Sequence, residues 1–252
     1  MGYNHTEVGM QNALTLYQTT IGKKVVMAVS GLVVFGFVIG HLAGNLNLYA
    51  GPTAINDYAA WLRSMPKLLW GARIGLIVAI VAHIVSSVQL ANRNAAARSA
   101  RYMKKVHKKA NYASKTMYFS GPILLLFVLY HLAHLTLGRT PGYEFDPHNV
   151  YNNVVLGFQN PLIAAIYITA NLALGLHLFH GAWSMLQTLG LSHPRYDVYR
   201  RQFASVIAAL ITLGNVSFPV TVMAGLVQPT DQSFCYEHLA RQPGECGPRE
   251  TQ

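Results

Sequence analysis

The chain has 252 residues, 52% of them hydrophobic and only 11% charged, with a formal net charge of +10. Soluble globular chains carry about 25% charged residues, so an ordinary water-soluble domain is excluded, and so is a disordered chain, which would lack this much apolar surface. The basic excess would suit nucleic acid in a soluble protein. Here it accompanies long uncharged stretches, so a membrane protein with no nucleic-acid partner is the class that fits.

In chain order, residues 1–24 form a polar N-terminal segment. The apolar run that follows is too long for the h-region of a signal peptide and has no small-residue cleavage site behind it, so none is expected. Charges are absent from Val25 to Asn56, Ile74 to Asn92, Thr116 to Gly138, Pro147 to Pro194 and Gln202 to Thr230. Each window holds an apolar stretch of roughly 20 residues or more, enough for a helix to cross about 30 Å of hydrocarbon. Helices are predicted near 25–49, 68–92, 116–138, 160–189 and 203–228. Five such helices in so short a chain leave too little polar surface to cover them in water. The expected fold is all-α, a bundle of five transmembrane helices over residues 25–228, followed by a polar tail, 229–252.

Lys and Arg set the orientation. Thirteen lie on one side: Lys23, Lys24, the cluster Arg93, Arg98, Arg101, Lys104, Lys105, Lys108, Lys109 and Lys115, then Arg195, Arg200 and Arg201; six lie on the other. The N-terminus is expected in the cytoplasm and the C-terminus outside, in a cell inner or plasma membrane. The basic loop suits anionic membrane lipid, a cytoplasmic partner, or both. The tail holds both cysteines, Cys235 and Cys246. On the oxidising side these could be a disulfide or two free thiols.

No Asp, Glu, Lys or Arg falls deep in a span. The ionisable residues there are His41, His83, His131, His134, His177 and His180, and an ionisable group in hydrocarbon is a functional candidate by default. His41 lies 17 residues past Lys24, and His131 lies 16 past Lys115. At about 1.5 Å per residue both sit roughly 25 Å from the cytoplasmic end. His83 lies 16 residues past Lys67, and His177 lies 16 past Pro161. These helices run the other way, so both sit near the cytoplasm. Two pairs at two depths result, His41 with His131 (outer) and His83 with His177 (inner).

Two facing imidazoles fill both axial positions of a haem iron, which suits electron transfer. Zinc needs more ligands, and a proton relay normally includes carboxylates. Two haem b groups are therefore the expected cofactors. Ser30-Gly31 and Ser120-Gly121 each stand ten residues before an outer histidine, counted from the glycine. Gly31 and Gly121 would permit close approach of a macrocycle or a helix. His134 and His180 follow proposed ligands by three residues on the same helical face. They are expected in the haem surroundings, and are the alternative ligands should the assignment slip by one turn.

With these residues in hand, the chain resembles, over about residues 17–228, the di-haem cytochrome b membrane anchor of succinate:quinone oxidoreductases, the succinate dehydrogenases and fumarate reductases of respiratory complex II. Tyr17 to Leu32, with Ile21-Gly22-Lys23-Lys24 and Met27, resembles the family's approach to its first helix. His41-Leu42-Ala43-Gly44-Asn45-Leu46 resembles its first ligand motif, His83 with Asn92-Arg93 the second, Gly121 to His131 the third, and His177-Leu178-Phe179-His180-Gly181-Ala182-Trp183 the fourth, with the ligand at His177. Two departures stand out. A membrane glutamate found near the fourth ligand in some fumarate reductases is replaced by apolar residues around Leu174 and Gly175. An acidic residue tied to the outer quinone site in such members has no match near Lys67, and Asp57 is the nearest carboxylate.

The resemblance implies a subunit that passes electrons from a cytoplasmic iron–sulfur subunit to a membrane quinone, menaquinone being expected. The chain has no dinucleotide fingerprint and no cysteine set for clusters. FAD, the Fe–S clusters and the dehydrogenase active site would therefore belong to a flavoprotein subunit and an iron–sulfur subunit. The loop Asn56-Asp57-Tyr58 to Trp61-Leu62-Arg63 offers Asp57, Tyr58 and Trp61 as quinone contacts, or as an ordinary aromatic belt. Competing readings are a cytochrome b serving another dehydrogenase, such as a hydrogenase or formate dehydrogenase, and a haem-free proton or metal transporter.

Overall fold

A computed structural model describes residues 17–97, 112–140 and 142–230. Seven α-helices occur among them: α1 (Thr20–Asn45), α2 (Pro52–Arg63), α3 (Pro66–Ala96), α4 (Tyr112–Leu135), α5 (Val150–Gln159), α6 (Pro161–Thr188) and α7 (Asp197–Met223), with 3-10 turns at Leu46–Ala50 and Pro194–Tyr196. Five are long and apolar enough to cross a membrane: α1, α3, α4, α6 and α7. No more than 33% of the apolar window of any span is buried within the chain. Outward-facing side chains such as Ile77, Val78, Phe119, Leu126 and Leu213 form an apolar exterior that water would not tolerate on this scale and lipid would.

Helix starts follow from local chemistry. Thr19 accepts the Gly22 N–H on its hydroxyl at 2.9 Å, capping α1. Pro52, Pro66 and Pro161 stand in the first turns of α2, α3 and α6, where a missing N–H costs nothing. Asn160 adds a side-chain cap to α6, accepting from the Leu162 N–H at 3.0 Å.

Boundaries differ from the sequence expectation in an instructive way. Helix α1 begins five residues before the predicted start at 25, so Lys23 and Lys24 lie inside it. Charge marks where hydrocarbon stops, whereas a cap marks where a helix stops. Helices α3 and α4 likewise extend beyond 68–92 and before 116, and α7 runs 197–223 rather than 203–228. The segment around Asn56 to Arg63, expected as a loop, is helix α2. A further helix, α5, occupies 150–159, ahead of the span.

The spans alternate in direction, so α2 and α5 share one end of the bundle and cap it. There Leu48, Ile55, Tyr151, Val155, Phe158, Ile163, Tyr167, Phe218 and Val222 form the larger buried core. Buried amides stitch it together. Asn56, 1% exposed, accepts the Tyr151 N–H at 3.0 Å and donates to Asn149 Oδ1 at 3.4 Å. Asn152 exchanges hydrogen bonds with Thr230, and the Tyr151 hydroxyl donates to the Gln228 carbonyl at 3.0 Å. Arg63 reaches the Pro147 carbonyl at 3.0 Å.

Below the cap, α1 packs on α3, α4 on α6, and α6 on α7. The backbones of α1 and α4 barely approach each other, nor do those of α3 and α6. Helix α1 also packs on α6 and α7, so α6 joins the packed pairs α1–α3 and α4–α6 into one five-helix bundle. The expected tail cysteines Cys235 and Cys246, segment 1–16 and the basic residues Arg98, Arg101, Lys104, Lys105, Lys108 and Lys109 lie outside the described residues, as does the Lys115 side chain.

Candidate functional site

Histidine rings face each other between helices whose backbones stay apart. His41 on α1 faces His131 on α4, with ring centroids 5.8 Å apart and planes at 89°. His83 on α3 faces His177 on α6 at 6.2 Å and 61°. Two imidazoles bonded at about 2 Å to one metal between them place their centroids roughly 6 Å apart. Both separations match. His41 is the most open of the four and stacks on Phe37, 5.3 Å away; the other three are half-buried.

What holds each ring matters as much as what it faces. His83 Nδ1 lies 3.1 Å from the Met27 carbonyl. A carbonyl only accepts, so Nδ1 carries the proton and Nε2 keeps its lone pair. His177 Nδ1 lies 3.3 Å from Ser120 Oγ, and His131 Nδ1 lies 3.2 Å from the Tyr167 hydroxyl. In three of the four rings Nδ1 is therefore engaged by the protein, and Nε2 is the nitrogen left for a ligand.

These contacts also give the levels. Met27, beside His83, precedes His41 by 14 residues on α1, about 21 Å of helix. Ser120, beside His177, precedes His131 by 11 residues on α4, about 16 Å. The pairs sit on separate levels, with His41 and His131 toward the capped end.

The Ser-Gly echo belongs to the other level from the one expected. A methyl group on Gly31 would lie 3.2 Å from His83 Cε1, so Gly31 lets that ring rest on α1. Ser30 is buried and bonds back to the Val26 carbonyl at 2.7 Å. Ser120 is the partner of His177, while a Cβ on Gly121 would meet open space. Ten residues advance a helix by about 15 Å, nearly the spacing of the levels. The repeat thus places Ser-Gly beside one pair and His in the other.

His134 and His180 face neither His41 nor His83. His134 is fully buried; its Nδ1 lies 2.8 Å from the Tyr167 hydroxyl and its Nε2 has no partner. Gly157 of α5 makes room for it, because a methyl group there would come within 2.5 Å of that Nε2. Tyr143 adds an edge contact to His134 at 5.9 Å, and burial pushes its phenol pKa up, so it stays an uncharged hydroxyl. His180 Nδ1 and Trp183 Nε1, one and two turns beyond His177, are buried without partners. Arg201 covers the Trp183 ring at 4.3 Å.

The expected quinone contacts lie on α2, beside the His41 level. A methyl group on Gly44, one turn past His41, would fall 2.7 Å from the Tyr58 ring, so that ring lies flush against α1. Trp61 is 55% exposed, its ring centroid 6.0 Å from that of Tyr58. Asp57 is half-buried on the same helix.

Two features had no sequence signal. Tyr167 looks like one more aromatic near a helix end, yet it joins His131 to His134. Lys23 reads as an interfacial charge, yet it is 6% exposed; its ammonium donates to Gln89 Oε1 and lies 4.1 Å over the Tyr17 ring. Among the described residues no three His, Cys, Asp or Glu side chains converge as a metal-holding group. No family model, curated protein or solved structure matches this chain.

Proposed function

We propose that this chain is the di-haem cytochrome b membrane anchor of a succinate:quinone oxidoreductase. The reading rests on one observation: two histidine pairs, each about 6 Å across, join α1 to α4 and α3 to α6 on two levels. The donor set fits haem b. Each level offers two facing imidazoles that would hold a haem iron through nitrogen. Beyond the His83–His177 level, the unpartnered ring nitrogens of His180 and Trp183 suit the acidic substituents of such a group.

In this reading His41 and His131 hold one haem, and His83 and His177 hold the other. Bound haem b supplies reversible one-electron transfer. The chain's own residues hold three of the four ligand rings by Nδ1, which would leave Nε2 for the iron. Two histidines per iron would suit electron transfer and not oxygen chemistry. The apolar spans keep water away from both levels. Tyr58, Trp61 and Asp57, beside the outer pair, are placed to receive the quinone head, menaquinone in our reading. The Lys and Arg distribution puts the N-terminus in the cytoplasm. The flavoprotein and iron–sulfur subunits, with FAD and Fe–S clusters, would dock on that side.

Purification from native membranes tests the reading. A dithionite-reduced spectrum with two haem b per chain is expected, together with co-purifying flavoprotein and iron–sulfur subunits and succinate–quinone activity. His177→Ala should lose one haem and His180→Ala none. Absence of haem b sinks the proposal. Two haems with a hydrogenase or formate dehydrogenase partner would keep the cytochrome and reassign the complex.

A further inference from the structure

The residues around the outer pair carry one more inference, resting on the reading of His131 as an iron ligand. Tyr167 is 5% exposed and wedged among Phe127, Tyr130 and Phe158, whose ring centroids lie 5.0, 6.1 and 4.8 Å from its own. Its hydroxyl lies 3.2 Å from His131 Nδ1 and 2.8 Å from His134 Nδ1. A phenol has one proton to donate, so it cannot donate to both nitrogens. When that proton goes to one imidazole, the other donates to the phenol oxygen. A ring that binds iron through Nε2 keeps its proton on Nδ1, which makes His131 the donor. The Tyr167 proton then goes to His134 Nδ1, and His134 carries its own proton on Nε2.

We propose that Tyr167 is a positioning residue for the outer haem, and that His134 accepts the Tyr167 proton in the same chain of bonds. The chain of bonds runs one way, from His131 N–H to the Tyr167 oxygen and from Tyr167 O–H to His134 Nδ1. His134 keeps Nδ1 turned to Tyr167, because it is fully buried and Gly157 lies directly against Nε2. Accepting the His131 proton makes that imidazole a stronger donor to iron and favours the ferric state. The His134 acceptor polarises the Tyr167 hydroxyl and strengthens the same effect. At the other level Met27 and Ser120 are the Nδ1 partners, so the two haems are tuned by different groups.

The test is a redox titration with low-temperature EPR on the intact complex carrying Tyr167→Phe, which removes only the hydroxyl. The midpoint potential of one haem should rise and its ferric g-values move, while the other haem keeps both. Wild-type complex without haem b would sink the underlying reading. Two haems that titrate and resonate as in wild type despite Tyr167→Phe would sink this inference alone. If Tyr167→Phe fails to assemble, His134→Leu, which leaves Tyr167 in place, carries the test. The same haem should shift upward by less, and no shift overturns the proposal.

Discussion

An imidazole has two nitrogens, and a ring that binds a metal with one must have the other satisfied. In our reading three of the four ligand rings have that second nitrogen engaged, by a carbonyl, a serine and a tyrosine, none adjacent in sequence to the ring it serves. The same accounting applies to Lys23. An ammonium out of water is costly unless hydrogen-bonded, and Gln89 with the Tyr17 ring provides its contacts. Gln89→Leu should therefore lower stability by about 1.5–3 kcal/mol, as for loss of a hydrogen bond to a charged group. Lys23→Met, which removes the charge and keeps the stem, should be neutral or stabilising. Thermal unfolding in detergent reads both; equal losses would show that the ammonium is not the burden.

At the scale of elements, the capped end explains how the spans keep their register. Helices α2 and α5 are too short to stand alone in water and are held by Asn56, which satisfies the Tyr151 N–H. Asn56→Ala leaves that buried donor orphaned, at about 1–3 kcal/mol. Hydrogen exchange should quicken over residues 149–153 and leave α3 unchanged; unaltered exchange in 149–153 would refute the role. The hydropathy pattern makes α1, α3, α4, α6 and α7 legible because each is a continuous apolar run. Helices α2 and α5 are hidden by their mixed composition and shortness. Their signals are Pro52 in the first turn of α2 and the Asn149 cap on α5, whose side chain accepts the Asn152 N–H at 3.1 Å.

Across the whole molecule, the two levels share helices but no histidine. Each helix of a pair carries one ring for one level, and α1 and α4 also carry second contacts for the other, through Met27 and Ser120. In our reading His41→Ala and His131→Ala each remove one haem and leave the other with its own potential. His83→Ala and His177→Ala do the converse. Redox titration of the four variants should leave a single component in each, of two kinds. Loss of both haems in all four would mean that the levels fold as one unit.

The sequence by itself determined the spans, their alternation and the pairing of histidines by depth. These depend on a helical rise that is the same in every helix and on the cost of charge in hydrocarbon, so counting residues suffices. Depth alone left His131 and His134 close, since they differ by one turn. Tertiary structure decided that His131 faces His41, that Gly31 serves His83, and that Tyr167 joins two imidazoles. Those outcomes depend on the rotation of each helix about its axis and on which neighbour it meets, and neither is written in the spacing of residues along one chain.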